Sequence, residues 1–207
     1  MDMRKEWLAM KQIEIENVKK FTSALFASNT FDTFCVTEAS FSTLVNITID
    51  GHINQEFLKP SGSEGNAGIQ VSAAGAGGGA AADAPASSGH MESQASSQAT
   101  QQIAIWQQLR PLCYEAIKGS KAPLKFKIIF MTPPEKVAGF ISKQGLNLRP
   151  SDVTGLFMNI RFEGGKLSCI SGSSTKSFSL DKSLENAWDA SVEGFIRKFS
   201  VKKTISI

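Results

Sequence analysis

Apolar and polar residues alternate where the patterned part of the chain begins, and the spacing then changes to that of a helix. Ile13 and Ile15 alternate with polar neighbours, which is the period of a half-buried strand. Asn17 follows and can cap a helix. The apolar residues of this predicted helix recur on one face: Val18, Phe21 and Leu25.

Three further strands are predicted in this first segment. Apolar residues alternate around residues 34–36 and again across residues 45–49. The pair Asp50 and Gly51 then predicts a type I′ hairpin turn, because both central positions of that turn need a positive φ. Residues 52–57 would form the returning strand.

The same order of elements returns between residues 124 and 180. A strand with lysines between its apolar residues comes first. Thr132 is predicted to cap a helix that begins at Pro133 and ends at Gly145. Three alternating segments predict the remaining strands, at residues 156–162, 167–169 and 178–180, with a turn at Gly164 and Gly165.

Two helices lie outside the repeated units. The first covers residues 103–118 and is apolar around much of its circumference, which predicts burial, while Pro111 should kink or split it. The second covers residues 183–199 and carries large apolar residues three or four positions apart. We expect it to pack on the sheet.

These patterns predict an α+β fold with duplicated β-α-β-β-β units and two additional helices. Residues 10–59 form the first half, and residues 101–207 hold the first extra helix, the second half and the terminal helix. The two halves are expected to form one domain, with residues 1–9 as an extension. Residues 60–100 are rich in Ala, Gly and Ser, and we expect this linker to be disordered because it has little apolar surface to bury.

The order and length of the elements resemble one domain of the DNA sliding-clamp family, which is built from two such units in tandem. In that family the helices face DNA and the sheets lie outside. The resemblance therefore implies a clamp-like domain whose repeat helices meet DNA. The basic residues on those two helices are Lys19, Lys20, Lys136 and Lys143.

A second resemblance rests on sequence. Five segments are similar to an uncharacterised protein family of Firmicutes-type bacteria: FDTFCVTEAS, NITIDGHINQEF, LRPLCYEAIKG, GLFMNIRFEGGKLSC and SFSLDKSLENAWD. The similarity covers nearly all of the chain except residues 1–9 and the linker. It implies a bacterial domain of unknown function and brings no site residue or cofactor with it.

The distribution of charge favours an anionic partner. Residues 101–207 contain sixteen Lys and Arg against eight Asp and Glu, a net charge of +8, whereas the whole chain carries +3. Such a basic half can meet nucleic acid or an acidic protein. Lys125 and Lys127, which interleave with Phe126, join the four helix lysines as the predicted nucleic-acid-binding residues. A solvated basic surface that serves solubility is the alternative.

Little in the sequence indicates catalysis, a metal or a membrane. The histidines number two and the cysteines three, without a C-x-x-C pair, so no metal site, cofactor or catalytic residue is predicted. The odd number of cysteines favours buried, reduced thiols. The chain has no apolar run of ~20 residues and its first ten residues lack the apolar core of a secretory signal, so we expect a cytoplasmic protein.

Three local features allow other chemistry. Residues 171–175 (SGSST) could hold an anion at a hairpin tip or form a polar turn. Asp181, Glu185 and Asp189 share one helix face and could hold a cation, although a solvated face near a helix start explains them equally. His52 could act as a base with Glu38 or Asp50.

The sequence thus predicts a binding or scaffold module that acts without catalysis and associates with DNA through its basic half. A small hydrolase-like enzyme that uses His52 with a nearby carboxylate is one alternative. A protein-interaction module that uses residues 60–100 to capture its partner is the other.

Overall fold

The computed structural model describes residues 11–54, 56, 103–119 and 121–206. The chain divides into two compact units, one of residues 1–52 with 103–207 and the other of residues 53–102. Only three residues of the second unit are described, so the predicted linker at residues 60–100 and the extension at residues 1–9 lie outside the described part.

Seven strands of the described chain form a single antiparallel sheet in the order β3-β2-β4-β5-β6-β1-β7. Their bounds are β1 Lys11–Ile15, β2 Cys35–Ser42, β3 Asn46–Asp50, β4 Lys125–Met131, β5 Val153–Glu163, β6 Lys166–Thr175 and β7 Val201–Ser206. The fold is therefore mixed α+β, as the sequence predicts at that level.

Four α-helices accompany the sheet in the described residues. They are α1 Val18–Ala27, α2 Trp106–Ile117, α3 Pro134–Gln144 and α4 Ser183–Ile196. Short 3-10 turns at Pro150–Asp152 and Arg197–Phe199 precede β5 and follow α4. None of these helices is long and apolar enough to cross a membrane.

The core lies between the helices and one face of the sheet. Alternate residues of the strands point into it, as Phe126, Ile128 and Phe130 do from β4. Trp106 of α2 is fully buried among them, and its indole Nε1 donates a hydrogen bond to the carbonyl oxygen of Leu25, 2.8 Å away. This bond joins α2 to α1 over the sheet while satisfying the one polar atom of a buried tryptophan.

Several local predictions are confirmed. Asn17 caps α1, because its side-chain oxygen accepts from the backbone N–H of Lys20 at 2.9 Å. Gly145 ends α3 with a φ of 63°. Gly164 and Gly165 both have positive φ and turn β5 into β6, as the type I′ geometry requires.

Other local predictions are wrong. Thr132 does not cap α3, since the helix begins at Pro134 with Pro133 as its cap residue. Of the two effects predicted for Pro111, the split is wrong, because α2 is one continuous helix. The broad apolar surface of α2 is not fully buried either: Leu112 and Tyr114 remain 57% and 43% exposed.

The last strand predicted for each repeated unit does not form in the described residues. In the first unit His52 makes only an isolated bridge to Ile103, residues 53 and 54 have no strand pairing, and residues 55 and 57 lie outside the described part. In the second unit, residues 178–180 form an irregular segment in which Phe178 and Leu180 are exposed. The two units also differ in pairing. Strands β4, β5 and β6 are neighbours, whereas three strands separate β1 from β2. A strand that the sequence did not predict, β7, pairs with β1 at the sheet edge.

Gly51 does not form the predicted type I′ turn. It is buried beside β2, where its N–H donates to the carbonyl of Thr37 at 3.2 Å and its own carbonyl accepts from Ala104 at 2.8 Å. A Cβ at this position would lie 1.5 Å from the carbonyl oxygen of Val36. The glycine is therefore needed for close approach of backbones and not for a turn.

We predict that Gly51→Ala lowers the free energy of unfolding by about 2–4 kcal/mol, because the new methyl group forces the backbone of β2 away and strains both hydrogen bonds. Urea denaturation followed by circular dichroism measures it. Gly139→Ala is the matched control: Gly139 lies inside α3, and a methyl group added there would meet no other atom within 4 Å. That change should stabilise the protein by about 0.5–1 kcal/mol. Equal effects of the two substitutions would contradict the close-approach role.

Candidate functional site

The face of the sheet opposite the core presents a row of polar side chains that crosses every strand. The register of the ladders places these residues side by side in the order Thr48, Ser40, Lys127, Arg161, Ser168, Glu14 and Lys203. Neighbouring strands lie ~4.8 Å apart, so side chains that are adjacent in this row are in reach of one another. We call it the polar row.

Two cations stand next to each other in the polar row. Lys127 of β4 lies directly opposite Arg161 of β5. Like charges in this position repel, and each is offset by a carboxylate on its flank. The Lys127 ammonium lies 2.7 Å from Glu38, and the Arg161 guanidinium lies 2.6 Å from Glu163.

A concavity of about 420 Å³ adjoins this pair of cations at the β3-β2-β4-β5 end of the sheet. Its polar lining consists of Ser40, Ser42, Asn46, Thr48, Lys125, Lys127 and Arg161. None of the lining residues is acidic. Hydroxyl and amide groups beside three cations form an arrangement that can bind phosphate oxygens. We call this the basic concavity.

The structure does not bring the six predicted lysines together. Lys125 and Lys127 belong to the outer face of the sheet, because the alternate residues of β4 are buried on the other side. The other four lie on α1 and α3, on the helix side of the sheet: Lys19, Lys20, Lys136 and Lys143. Lys20 also donates to the backbone carbonyl of Lys198 at 2.9 Å. Two separate basic surfaces result.

Arg161 is the residue of this site that sequence reasoning missed. Its signal was present, because the alternation of β5 places Arg161 on the outer face together with Asn159 and Glu163. The neighbouring position of Lys127, however, depends on the pairing register of β4 and β5, which a helix and a 3-10 turn separate in the chain. Periodicity does not give that register.

His52 forms a contact with Asp50 that resembles part of a catalytic dyad. Its ring Nδ1 lies 2.5 Å from a carboxylate oxygen of Asp50, and the backbone N–H of His52 donates to the same oxygen at 3.1 Å. These hydrogen bonds lower the pKa of the Asp50 carboxyl. Both side chains are open to solvent, with exposures of 63% and 74%. Glu38, the other predicted partner, is instead bonded to Lys127.

The acidic row on α4 is divided by the fold. Asp181 lies before the helix and accepts from the N–H and the hydroxyl of Ser183, both at 2.9 Å. Asp189 is 2% exposed, so the prediction of a solvated face is wrong for this residue. Its carboxylate accepts a short hydrogen bond from the buried hydroxyl of Ser171. Burial raises the pKa of Asp189, against the opposing effects of Ser171 and Lys11.

Residues 171–175 are not a hairpin tip. They belong to β6, and only the hydroxyl of Ser171 points into the core, where it meets Asp189. The polar turn predicted from the sequence is therefore wrong, and so is the hairpin tip at which an anion cradle was predicted. Instead, Ser171 of the sheet donates a buried hydrogen bond to Asp189 of α4.

The cysteines and the acidic residues offer little reactive chemistry. Cys35, Cys113 and Cys169 are free and buried. Burial raises the pKa of Cys113 and of Cys169 to about 12, which leaves these thiols protonated. Among the described residues, no three His, Cys, Asp or Glu side chains are grouped so that they could hold a metal ion.

Comparison with known proteins identifies a family and no relative of known activity. The sequence model described as a family of unknown function, DUF5721, matches residues 24–72 and 86–203. Searches of curated proteins and of solved structures gave no significant match. The family match gives no source organism, so the bacterial origin stays a prediction.

We predict that the ionisation of Asp189 makes the protein less stable as pH rises. The carboxyl has a higher pKa in the folded state than the ordinary value of 3.8. Above pH 3.8 the unfolded chain therefore releases this proton first, and folding stability falls until the folded carboxyl ionises too. The free energy of unfolding of Asp189→Asn should rise relative to the wild type as pH increases above 3.8, as measured by urea denaturation.

Glu185→Gln, which removes another carboxylate from the same helix, is the comparison variant measured alongside. An identical pH dependence of stability in the wild type and in Asp189→Asn would mean that the buried carboxyl keeps an ordinary pKa.

Proposed function

We propose that this chain, which belongs to the DUF5721 family of unknown function, is a non-catalytic binding module that associates with nucleic acid through the basic concavity. The observation that carries the proposal is the cross-strand pair Lys127 and Arg161 beside a hydroxyl-lined depression without acidic lining residues. The large basic excess of residues 101–207 supports it.

The ion pairs of Lys127 and Arg161 can be exchanged for contacts with a bound anion. Glu38 and Glu163 lie on the flanks of Lys127 and Arg161, and all four side chains are between 36% and 59% exposed. Exposed ion pairs of this kind contribute only ~0–1 kcal/mol each. A phosphate group that carries its own charge and releases counterions can therefore replace the carboxylates at little cost.

The hydroxyl and amide groups of β2 and β3 give the second part of the recognition. Ser40 lies opposite both Lys127 and Thr48, and Ser42 lies opposite both Lys125 and Asn46. Neutral donors next to cations are the usual partners of phosphate and sugar oxygens. Such contacts fix a backbone without reading its sequence, so we propose binding with little sequence specificity.

The sliding-clamp resemblance suggests another orientation, in which the repeat helices face DNA. That surface has Lys19 and Lys143, which are exposed on α1 and α3. The two halves do share the order strand, helix, strand, strand, although they pair differently within the sheet. The two orientations use different lysines and can be separated by charge-matched variants.

We predict salt-dependent binding to duplex DNA that the double variant Lys127→Gln/Arg161→Gln weakens at least tenfold at low ionic strength. The slope of log K against log salt should become shallower by about two, because two phosphate contacts are lost. Fluorescence anisotropy with a labelled duplex of about 20 base pairs, titrated at several salt concentrations, measures both quantities.

Lys19→Gln/Lys143→Gln is the charge-matched control, since it also removes two positive charges. This variant should bind within about twofold of the wild type. A loss confined to the control variant would favour the clamp-like orientation instead. If the protein does not bind DNA at low salt but does bind polyglutamate, the partner is an acidic protein and not nucleic acid.

The exposed pair of His52 and Asp50 is the observation that favours a second candidate, a small hydrolase-like enzyme. A carboxylate bonded to one ring nitrogen orients the imidazole and leaves the other ring nitrogen for a substrate. Hydrolysis of an activated ester that disappears in His52→Ala and persists in Lys127→Gln would support this function. Equal background rates in the wild type and in His52→Ala would remove it.

A third candidate, a protein-interaction module that captures its partner through residues 60–100, concerns residues outside the described part. Its test is deletion of residues 61–100. Partner capture should be lost while the far-ultraviolet circular dichroism of the folded unit is retained.

A further inference from the structure

A second concavity, of about 240 Å³, lies on the helix side of the sheet between α3 and α4. Its walls are mainly aromatic. Phe140 and Trp188 pack edge to face with their ring centroids 5.5 Å apart, and Phe34 and Phe195 do the same at 5.8 Å. The remaining lining residues are Thr33, Thr132, Pro133, Lys136, Met158, Ser191 and Val192. We call it the aromatic cleft.

Thr132, one of the residues that line the aromatic cleft, has a buried hydroxyl without a partner in the part of the chain that the structure describes. The residue is only 8% exposed, and its hydroxyl has no hydrogen-bond partner among the described residues. Leaving a buried hydroxyl unpaired costs about 1–3 kcal/mol, and native structures rarely do so without a reason. The hydroxyl does not cap α3, whose cap residue is Pro133 and which has no side-chain cap hydrogen bond within the described chain. A bound molecule can supply the missing partner.

The charges around the cleft indicate that the bound molecule is an anion. Lys136 is among the lining residues, and no lining residue is acidic. Lys198 lies with its ammonium 4.0 Å from the centre of the Phe195 ring, and burial lowers its pKa. The start of α3, next to Thr132, adds the positive end of a helix dipole. Glu135, in the same first turn, is exposed and outside the lining.

The volume of the cleft limits the size of the ligand. It corresponds to about eight water molecules and is below the ~300–1,000 Å³ that is usual for drug-sized ligands. One aromatic ring with a short side chain fits this space. Stacked and edge-on contacts with the four aromatic side chains suit such a ring.

We propose that the aromatic cleft binds a small aromatic carboxylic acid. The ring lies among the side chains of Phe140, Trp188 and Phe195. The carboxylate lies at the start of α3, where it accepts a hydrogen bond from the Thr132 hydroxyl and pairs with the Lys136 ammonium. This site is independent of the basic concavity, which lies on the β3-β2-β4-β5 end of the sheet.

Isothermal titration calorimetry of the full chain with phenylacetate and indole-3-acetate tests the proposal. We expect at least one of the two acids to bind, and its uncharged amide to bind at least tenfold more weakly. Thr132→Val should reduce affinity for the acid by about tenfold, because it removes one hydrogen bond to a charged group. Lys136→Gln should reduce it by up to about fivefold, as expected for an exposed ion pair.

Lys143→Gln, at the other end of α3, is the matched control and should leave affinity unchanged. Thr132→Val should also raise the melting temperature of the ligand-free protein, because it removes an unpaired buried hydroxyl. A lower melting temperature would show that the hydroxyl already has a partner in the chain and would overturn the assignment.

Two further results would overturn the proposal. One is the absence of binding by both acids at about 10 mM, which is about ten times a weak dissociation constant of 1 mM. The other is equal affinity for phenylacetate and for neutral N-acetylphenylalanine amide. That result would show that the cleft binds an aromatic side chain of a partner protein and does not recognise a carboxylate.

Discussion

One-sided burial of a single antiparallel sheet is the constraint on which the rest of this structure depends. In the described chain, seven strands put alternate side chains under four helices, and the residues between them are left on an open face. Every strand must therefore satisfy two environments at once. The helix side is closed by aromatic packing around Trp106 and Phe130, whose rings meet edge to face at 5.3 Å. The open side carries the cross-strand contacts of the polar row. Both proposed binding sites follow from this division, one on each side of the sheet.

Sequence reasoning succeeded where the signal is local. The alternation at Ile13 and Ile15, the cap at Asn17 and the paired glycines at Gly164 and Gly165 each determine the conformation of a few neighbouring residues. These features depend on periodicity and on allowed φ, and both can be read without knowing the partner strand. The α+β class follows from them.

Pairing between distant segments could not be predicted in the same way. Strand β7, Val201–Ser206, contains two lysines and lies at the edge of the sheet, where charged side chains are common and the apolar signal is weak. Gly51 looked like a turn residue because it follows Asp50, whereas its role is set by the carbonyl of Val36 on another strand. The same limit applies to the sites. Lys127 was found from its own strand, but its neighbour Arg161 and the buried contact of Asp189 depend on the tertiary fold.

The position of β1 in the sheet determines when this strand can pair during synthesis. This strand precedes the other six described strands in the sequence, yet its neighbours on either side are β6 and β7, the last two of the described strands. During synthesis from the N-terminus, Lys11–Ile15 therefore has no permanent pairing partner until β6 and β7 have been made. Its backbone and its two buried isoleucines remain available to other molecules for that interval. The described strand that comes first in the sequence therefore completes its pairing last.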